Sequence, residues 1–294
     1  MGSAFALACA FFWAFAVILF KKAGESFSPI ALNIYKSIVA MALIGLTMFV
    51  MGVPFFPDVT PRVWWILILS GLLGITLADI FYFSALNRLG AGMVAVVECL
   101  YLPGVLVFSY ILLSERMGIW GIIGSGLVLC AILVGAVPLQ DLNSGNRRKG
   151  QNLLGICAGS LAMMFMALGI VIAKDVLDQA DVFWATFIRV TAGLIGLVPI
   201  VLCHPERIRF ARELKFSKAW FNAFPATVSG NYIALVLWVA GMKYTTASRA
   251  AVLNQMSTIF LFILATVWLK EKMTAQRLAA IVLAVAGAYL VIFN

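Results

Sequence analysis

Charge is scarce in this chain, and acidic charge scarcest: 11% of its 294 residues are Asp, Glu, Lys or Arg, and only twelve carry carboxylates. A soluble domain is about 25% charged and 45–50% apolar, whereas 64% of this chain is hydrophobic and its mean hydropathy is +1.06. That composition cannot clothe a water-facing surface, so a soluble core is excluded. Histidine is nearly missing. His204 stands beside Pro205 at an apolar edge with no partner for a nucleophile–base dyad, there is no H-E-x-x-H, and Ser229-Gly230 has no histidine placed to serve it. The five cysteines, Cys9, Cys99, Cys130, Cys157 and Cys203, form no C-x-x-C or metal-like spacing and read as small core residues. Long polar runs are also absent, which argues against a receptor with a soluble effector domain. The net charge of +9 sits in short loops, where it meets anionic headgroups rather than nucleic acid.

What is present is apolar sequence in lengths that fit a bilayer. A spanning helix needs about 20 mostly apolar residues, and such runs fall near 2–20, 30–51, 63–86, 91–113, 118–138, 152–173, 182–203, 220–242, 247–269 and 275–293. Residues 2–20 lack the basic start of a signal peptide and count as a span; Ala6 stands where a myristoylation site needs Ser or Thr. The longest polar stretches are 140–152, at the midpoint, and 204–218.

The midpoint break invites a search for duplication. A shift of 153 pairs Gly2 with Gly155, Lys21 with Lys174 and Lys36 with Arg189. A shift of 156 lays residues 74–117 over 230–273, matching Gly74/Gly230, Ala91/Ala247, Ala95/Ala251, Leu113/Leu269, Glu115/Glu271 and Met117/Met273. The rare charged matches carry the weight, because apolar sequences coincide easily. Five spans per half is an odd number, so the second half enters the membrane inverted, the arrangement of alternating-access carriers. The expected fold is all-α and membrane-integral: ten helices as two inverted five-helix repeats around a central cavity, with units 1–139 and 152–294 and a polar linker at 140–151.

Two five-helix halves, Lys21 after the first span, Lys36 and Arg189 early in the second span of each half, and the strings L-L-S-E-R-M (112–117) and W-L-K-E-K-M (268–273) resemble the EamA family of the drug/metabolite transporter superfamily. The resemblance implies a basket of spans 1–4 and 6–9 around a cavity, with spans 5 and 10 outside it. It also implies export or exchange of amino acids, metabolites or drugs. That family usually keeps both termini in the cytoplasm and basic residues after the second span, where this chain has only Arg62. Loops after the odd-numbered spans instead hold Lys21, Lys22, Arg88, Arg147, Arg148, Lys149, Arg207, Arg209, Arg212, Lys215, Lys218, Lys270, Lys272 and Arg277, against Arg62, Arg116, Lys174, Lys243 and Arg249 on the other side. The positive-inside rule therefore places both termini outside the cytoplasm.

An ionisable side chain at the centre of a span costs at least about 2.5–3.5 kcal/mol, which singles out Lys36, Asp79, Glu98 and Arg189. Asp79 and Glu98 flank the turn near Arg88-Leu89 in antiparallel spans, and Lys36 lies on the order of 10 Å into its own span from the same side. The three are expected at one depth, either as a substrate or coupling-ion site or as a structural tie. Arg189, Asn254 and Gln255 lie at similar depth from the opposite side, with Asn231 nearer the middle. Arg189 suits a bidentate contact to a solute carboxylate or a cap on neighbouring carbonyls. Trp13, Tyr82, Tyr101 and Trp238 are candidate cavity walls, and Pro103 and Pro225 candidate kinks.

The reading that follows is a secondary transporter in the cytoplasmic (inner) membrane, moving an amino acid or related metabolite, outward, with protons as one coupling option. Its partners are the lipid bilayer and a small-molecule substrate, with no cofactor, no metal, no nucleic acid and no catalytic set; a monomer is expected and an oligomer left open. The alternatives are an exporter of hydrophobic cations and, remotely, a membrane enzyme that chelates a cation with Asp175, Asp178 and Asp181.

Overall fold

The computed structural model describes residues 1–23, 27–89, 97–136, 149–215, 220–268 and 275–293. The start of the fourth span at 91–96, most of the midpoint linker, Lys218, and Lys270, Glu271, Lys272 and Met273 of the second motif lie outside the described residues. Among the described residues every regular element is helical. Apolar sequence in a bilayer can satisfy its backbone groups only within helices or closed barrels.

Helix α1 is Gly2–Ala23 and α2 is Pro29–Met51. Proline opens α2 where no N–H is needed, the Ser28 hydroxyl accepts from the Ala31 amide at 3.4 Å, and Gly52 closes it at φ +70°. A long rod follows, with α3 at Pro61–Gly71, a π-helical segment at Leu72–Leu77, and α4 at Ala78–Leu89. Next come α5 (Tyr101–Leu113), α6 (Ile119–Ala136), α7 (Lys149–Lys174) and α8 (Val182–Cys203). A short α9, Arg207–Glu213, occupies what the sequence reads as a polar loop. The next rod is α10 (Trp220–Thr227), a second π segment (Val228–Ala234) and α11 (Leu235–Tyr244). The last are α12 (Ala247–Asn254), α13 (Met256–Trp268) and α14 (Ala275–Ile292).

By length and composition six described segments suffice to cross a membrane: 2–20, 30–51, 61–82, 153–174, 182–203 and 223–244. Three shorter apolar helices lie at 101–113, 119–134 and 278–292. The observed rods run longer than the apolar runs at 61–89 and 149–174, because helix geometry continues past the last apolar residue to the next capping or turn residue.

Small residues set the closest packing, as expected where lipid supplies no hydrophobic drive between helices. The α6–α14 pair meets at Gly124 and Gly287, where a Cβ on either would stand 2.6 or 2.5 Å from the other's carbonyl oxygen. Gly287→Val is therefore expected to part these helices at a cost of about 1–3 kcal/mol, read as a lowered melting temperature in detergent. An unchanged midpoint would show that the pair is not packed this way. Cys9 and Cys99 are buried as expected, but Cys130, Cys157 and Cys203 are exposed on the outer surface of their helices. In lipid a thiol needs no burial to escape water.

Two rims can be defined. The upper rim, where α1 begins, gathers Arg62 on Asp175 at 2.6 Å, the Trp184 indole N–H on the Phe55 carbonyl at 3.0 Å, and Lys174 Nζ on the Lys243 carbonyl at 3.1 Å. The Asp175, Asp178 and Asp181 run is divided here, as Asp175 pairs with Arg62, Asp178 lies in a 3-10 turn, and Asp181 caps α8 by accepting from the Phe183 and Trp184 amides. At the lower rim Glu213 accepts from the Ser28 amide at 2.7 Å and Tyr35 meets Trp220 edge-on at 4.7 Å. Burial pushes the Glu213 carboxyl up, but its bonds from Ser28 and the Arg209 guanidinium outweigh that and hold it below the usual carboxylate range.

Candidate functional site

Polar groups inside the bundle collect where its helices are irregular. The segment Leu72–Leu77 interrupts the α3–α4 rod, and Val228–Ala234 interrupts α10–α11. The two are displaced by 156 residues, as are α6 and α14 from end to end. Such π segments cluster at functional sites because they free backbone carbonyls and re-aim side chains. Here Thr76 Oγ1 donates to the Gly193 carbonyl at 2.9 Å and Ser70 Oγ to the Gly169 carbonyl at 2.5 Å.

Breaks also fall just before α5, in a turn at Cys99-Leu100, and between α12 and α13, at Gln255. Pro103 has no N–H to offer the carbonyl four residues back, which is Cys99, so the first break follows from sequence. The second has no proline. Gln255 N–H is shared between the Ala251 and Val252 carbonyls at 3.2 Å each. Pro225 lies inside α10, three residues before the second π segment.

The acidic residues sit beside the first pair of irregularities. Asn33 Nδ2 donates to Asp79 Oδ2 at 2.5 Å, and Tyr82 Oη donates to Glu98 Oε1 at 2.6 Å. Residues three apart share a helix face, which explains the grouping. Asn33 and Lys36 look out from α2 together, and Asp79 and Tyr82 from α4. The charge of Lys36 bears on Asp79, and that of Asp79 on Tyr82. Lys36 and Asp79 nevertheless form no ion pair within 4.0 Å among the described residues. All four ionisable members are half-buried, whereas Asn33 is 2% exposed.

Arg189 belongs to the other group. It lies two turns into α8, is 6% exposed, and its Nε and Nη1 have no hydrogen-bond partner. Neither of these two nitrogens caps a carbonyl. What surrounds it is glycine and tyrosine. A Cβ on Gly74 would stand 3.6 Å from Nη2, one on Gly71 would collide with the Arg189 carbonyl, and the Tyr101 hydroxyl is close enough to feel its charge. Cys9 also lies near Tyr101, and its Sγ donates to Asn254 Oδ1 at 3.2 Å. Asn231, in the second π segment, keeps an unpartnered buried Oδ1 beside Tyr232, whose hydroxyl meets Thr47 Oγ1 at 2.6 Å.

Among the expected walls, Tyr82 is the hydrogen-bond partner of Glu98, and Tyr101 and Trp238 are buried in the main apolar core. Trp13 is 40% exposed, with its ring edge near Gly230. Sequence reasoning missed Asn33, Cys9 and Thr47. An amide inside a span costs less than a charge and draws less notice. An open apolar groove between α1 and α10, lined by Phe11, Phe15, Phe224 and Val228 among others, holds no charged group. It is a feature separate from the polar centre.

Comparison with known proteins agrees with this architecture. A solved crystal structure matches 98% of this chain and 95% of its own at TM-score 0.81 and 19% identity, which establishes a shared fold. The protein PecM of Dickeya dadantii (strain 3937) is 22% identical over 223 residues, covering 74% of this chain and 70% of that protein. An uncharacterized transporter of Archaeoglobus fulgidus is 21% identical over 279 residues, covering 94% and 92%. The EamA-like transporter family is matched twice, over residues 1–136 and 153–293. With both matches together spanning nearly the whole chain, the protein belongs to the EamA-like transporter family.

Proposed function

We propose that this protein is a secondary active transporter of the cytoplasmic membrane that exports an amino acid or a related metabolite by alternating access, with Glu98 carrying the coupling proton. The buried guanidinium of Arg189, with Nε and Nη1 unpartnered, is the observation that carries the reading. A charge that costs several kcal/mol to bury is kept where a transient anion can neutralise it. Arg189 takes the solute carboxylate, Asp79 takes its ammonium, Glu98 carries the proton beside it, and Lys36, Asn231, Asn254 and Gln255 complete the polar wall, with Trp13, Tyr82, Tyr101 and Trp238 around it.

The spacing supports a zwitterion. Tyr101, within electrostatic reach of Arg189, is three residues from Glu98, and Gly74 is five from Asp79, which offsets the two groups by roughly 5–8 Å along the bundle axis. The N and carboxyl C of an amino acid are about 2.5 Å apart, and a hydrogen bond of about 2.9 Å at each end spans that gap. A hydrophobic cation alone would leave Arg189 unpaired.

Two five-helix units, 1–139 and 152–294, joined by a linker at 140–151 and inverted to one another, fit the double family match and the displacement of 156 residues between paired elements. The same inversion makes the two polar groups mates across the bundle. The basic lower rim faces the cytoplasm, both termini lie outside, and a monomer suffices for the cycle.

The test is uptake into proteoliposomes of purified protein, comparing labelled amino acids, organic cations and organic anions with and without an imposed pH gradient. Saturable, gradient-responsive uptake of amino acids is expected. Uptake confined to organic cations would transfer the reading to a drug exporter, and ion conductance without saturable flux would overturn it.

A further inference from the structure

We infer that Glu115 is the latch of the upper rim, a gating residue whose hydrogen bonds break whenever that rim opens. The inference rests on the alternating-access reading and adds to it the contact that holds one gate shut. Glu115 follows Ser114, whose φ of +54° turns the chain back over the end of α5. From there Oε1 accepts from the Ala247 amide at 2.8 Å, and Oε2 accepts from the Ser248 amide and the Ser248 hydroxyl at 3.1 Å each. Below it, Ser109 Oγ and Ser248 Oγ meet at 2.7 Å. A carboxylate from the first family match thus grips the N-terminus of a helix in the second.

The grip is not needed to build α12. Thr246 already caps that helix, its hydroxyl accepting from the Arg249 amide at 3.3 Å. Ser109 has a second acceptor in the Leu106 carbonyl at 3.2 Å. Releasing Glu115 therefore leaves both helices capped and few groups stranded once water enters, which is what a reversible contact requires. The piece it holds is short and consequential. The eight residues of α12 end at Asn254, which receives Cys9 Sγ, and Cys9 shares the main buried core with Tyr101, which lies within electrostatic reach of Arg189. The latch and the polar centre are thus connected through one short helix of about two turns. Arg62–Asp175 and Trp184–Phe55 close the same rim between the same two parts of the chain.

The native thiols report the gate. With Cys130, Cys157 and Cys203 replaced by serine, labelling of Cys9 and Cys99 by a membrane-impermeant maleimide is mapped by mass spectrometry in vesicles of either orientation. Glu115→Ala is expected to speed labelling of Cys9 from the upper rim by about tenfold or more. In a second variant, Ser109→Cys/Ser248→Cys, the paired hydroxyl positions suit a disulfide. Its oxidised form is expected to label Cys9 about tenfold more slowly than its reduced form and to stop amino-acid flux until reductant is added. Unchanged Cys9 labelling in Glu115→Ala, or equal flux in the oxidised and reduced double variant, overturns the latch while leaving transport intact. Labelling of neither Cys9 nor Cys99 from either side in any variant overturns alternating access itself.

Discussion

Replacing Arg189 by methionine should lower uptake of carboxylate-bearing solutes by about 100-fold while leaving the protein at least as stable as before. The first half follows from the strength of charge-assisted, bidentate contacts, in which losing about 2–3 kcal/mol of solute binding is a 30- to 150-fold effect. The second half is the more discriminating. A buried ion normally destabilises the fold when its partner is cut away, but Arg189 has no protein partner at Nε or Nη1 to lose. An unbranched apolar side chain of similar length removes the desolvation cost and fills the space between Gly74 and Tyr101. Melting in detergent and uptake by proteoliposomes should therefore move apart, activity falling as the midpoint holds or rises. A variant that melts earlier would mark Arg189 as a structural residue, and one that transports normally would remove it from the solute path. Arg189→Lys keeps the charge without the planar fork, and should recover only part of the flux.

Glu98→Gln should abolish the response of uptake to an imposed pH gradient, by about tenfold or more, and spare solute exchange measured without a gradient. The substitution keeps the acceptor oxygen that Tyr82 Oη meets at 2.6 Å, so the break before α5 is preserved and only the proton-carrying capacity is lost. Asp79→Asn is the companion. Asp79 answers to Asn33 and the Lys36 charge, and neutralising it leaves that ammonium unopposed, so exchange itself should slow. Normal gradient-driven uptake in Glu98→Gln would make that carboxylate a tie between α4 and α5.

The charges at the centre were legible in sequence because insertion cost makes any ionisable residue in a span conspicuous: Lys36, Asp79, Glu98 and Arg189 were all singled out on that ground. Their partners were not. Hydropathy averaged over a window finds a span but not which way a residue in it faces, so Asn33, one turn from Lys36, gave no hint that its amide would hold Asp79. The break at Gln255 has no proline to announce it, unlike the one that Pro103 explains. The acidic L-L-S-E-R-M string was visible as a repeated pattern with no role, since the amides that Glu115 receives lie 132 and 133 residues away. The helical content, and six of the spans as apolar enough to cross a membrane, followed from composition and run length alone. The short α9 did not, because three arginines in seven residues read as loop until Phe210 is seen buried against α2.

A π segment such as Leu72–Leu77 is in effect one residue too many for its turn. Each residue of an α-helix advances the side-chain direction by about 100°, so everything after the segment is rotated by roughly that angle relative to an uninterrupted rod. Asp79 lies just beyond it, in the first turn of α4. Its meeting with Asn33 is therefore a matter of phase: shortening 72–77 by one residue would leave depth, hydropathy and charge almost unchanged and swing the carboxylate a quarter-turn or more away from α2. The same holds for Trp238 beyond Val228–Ala234, so an uncharged insertion in each rod sets the compass bearing of the polar and aromatic groups that follow.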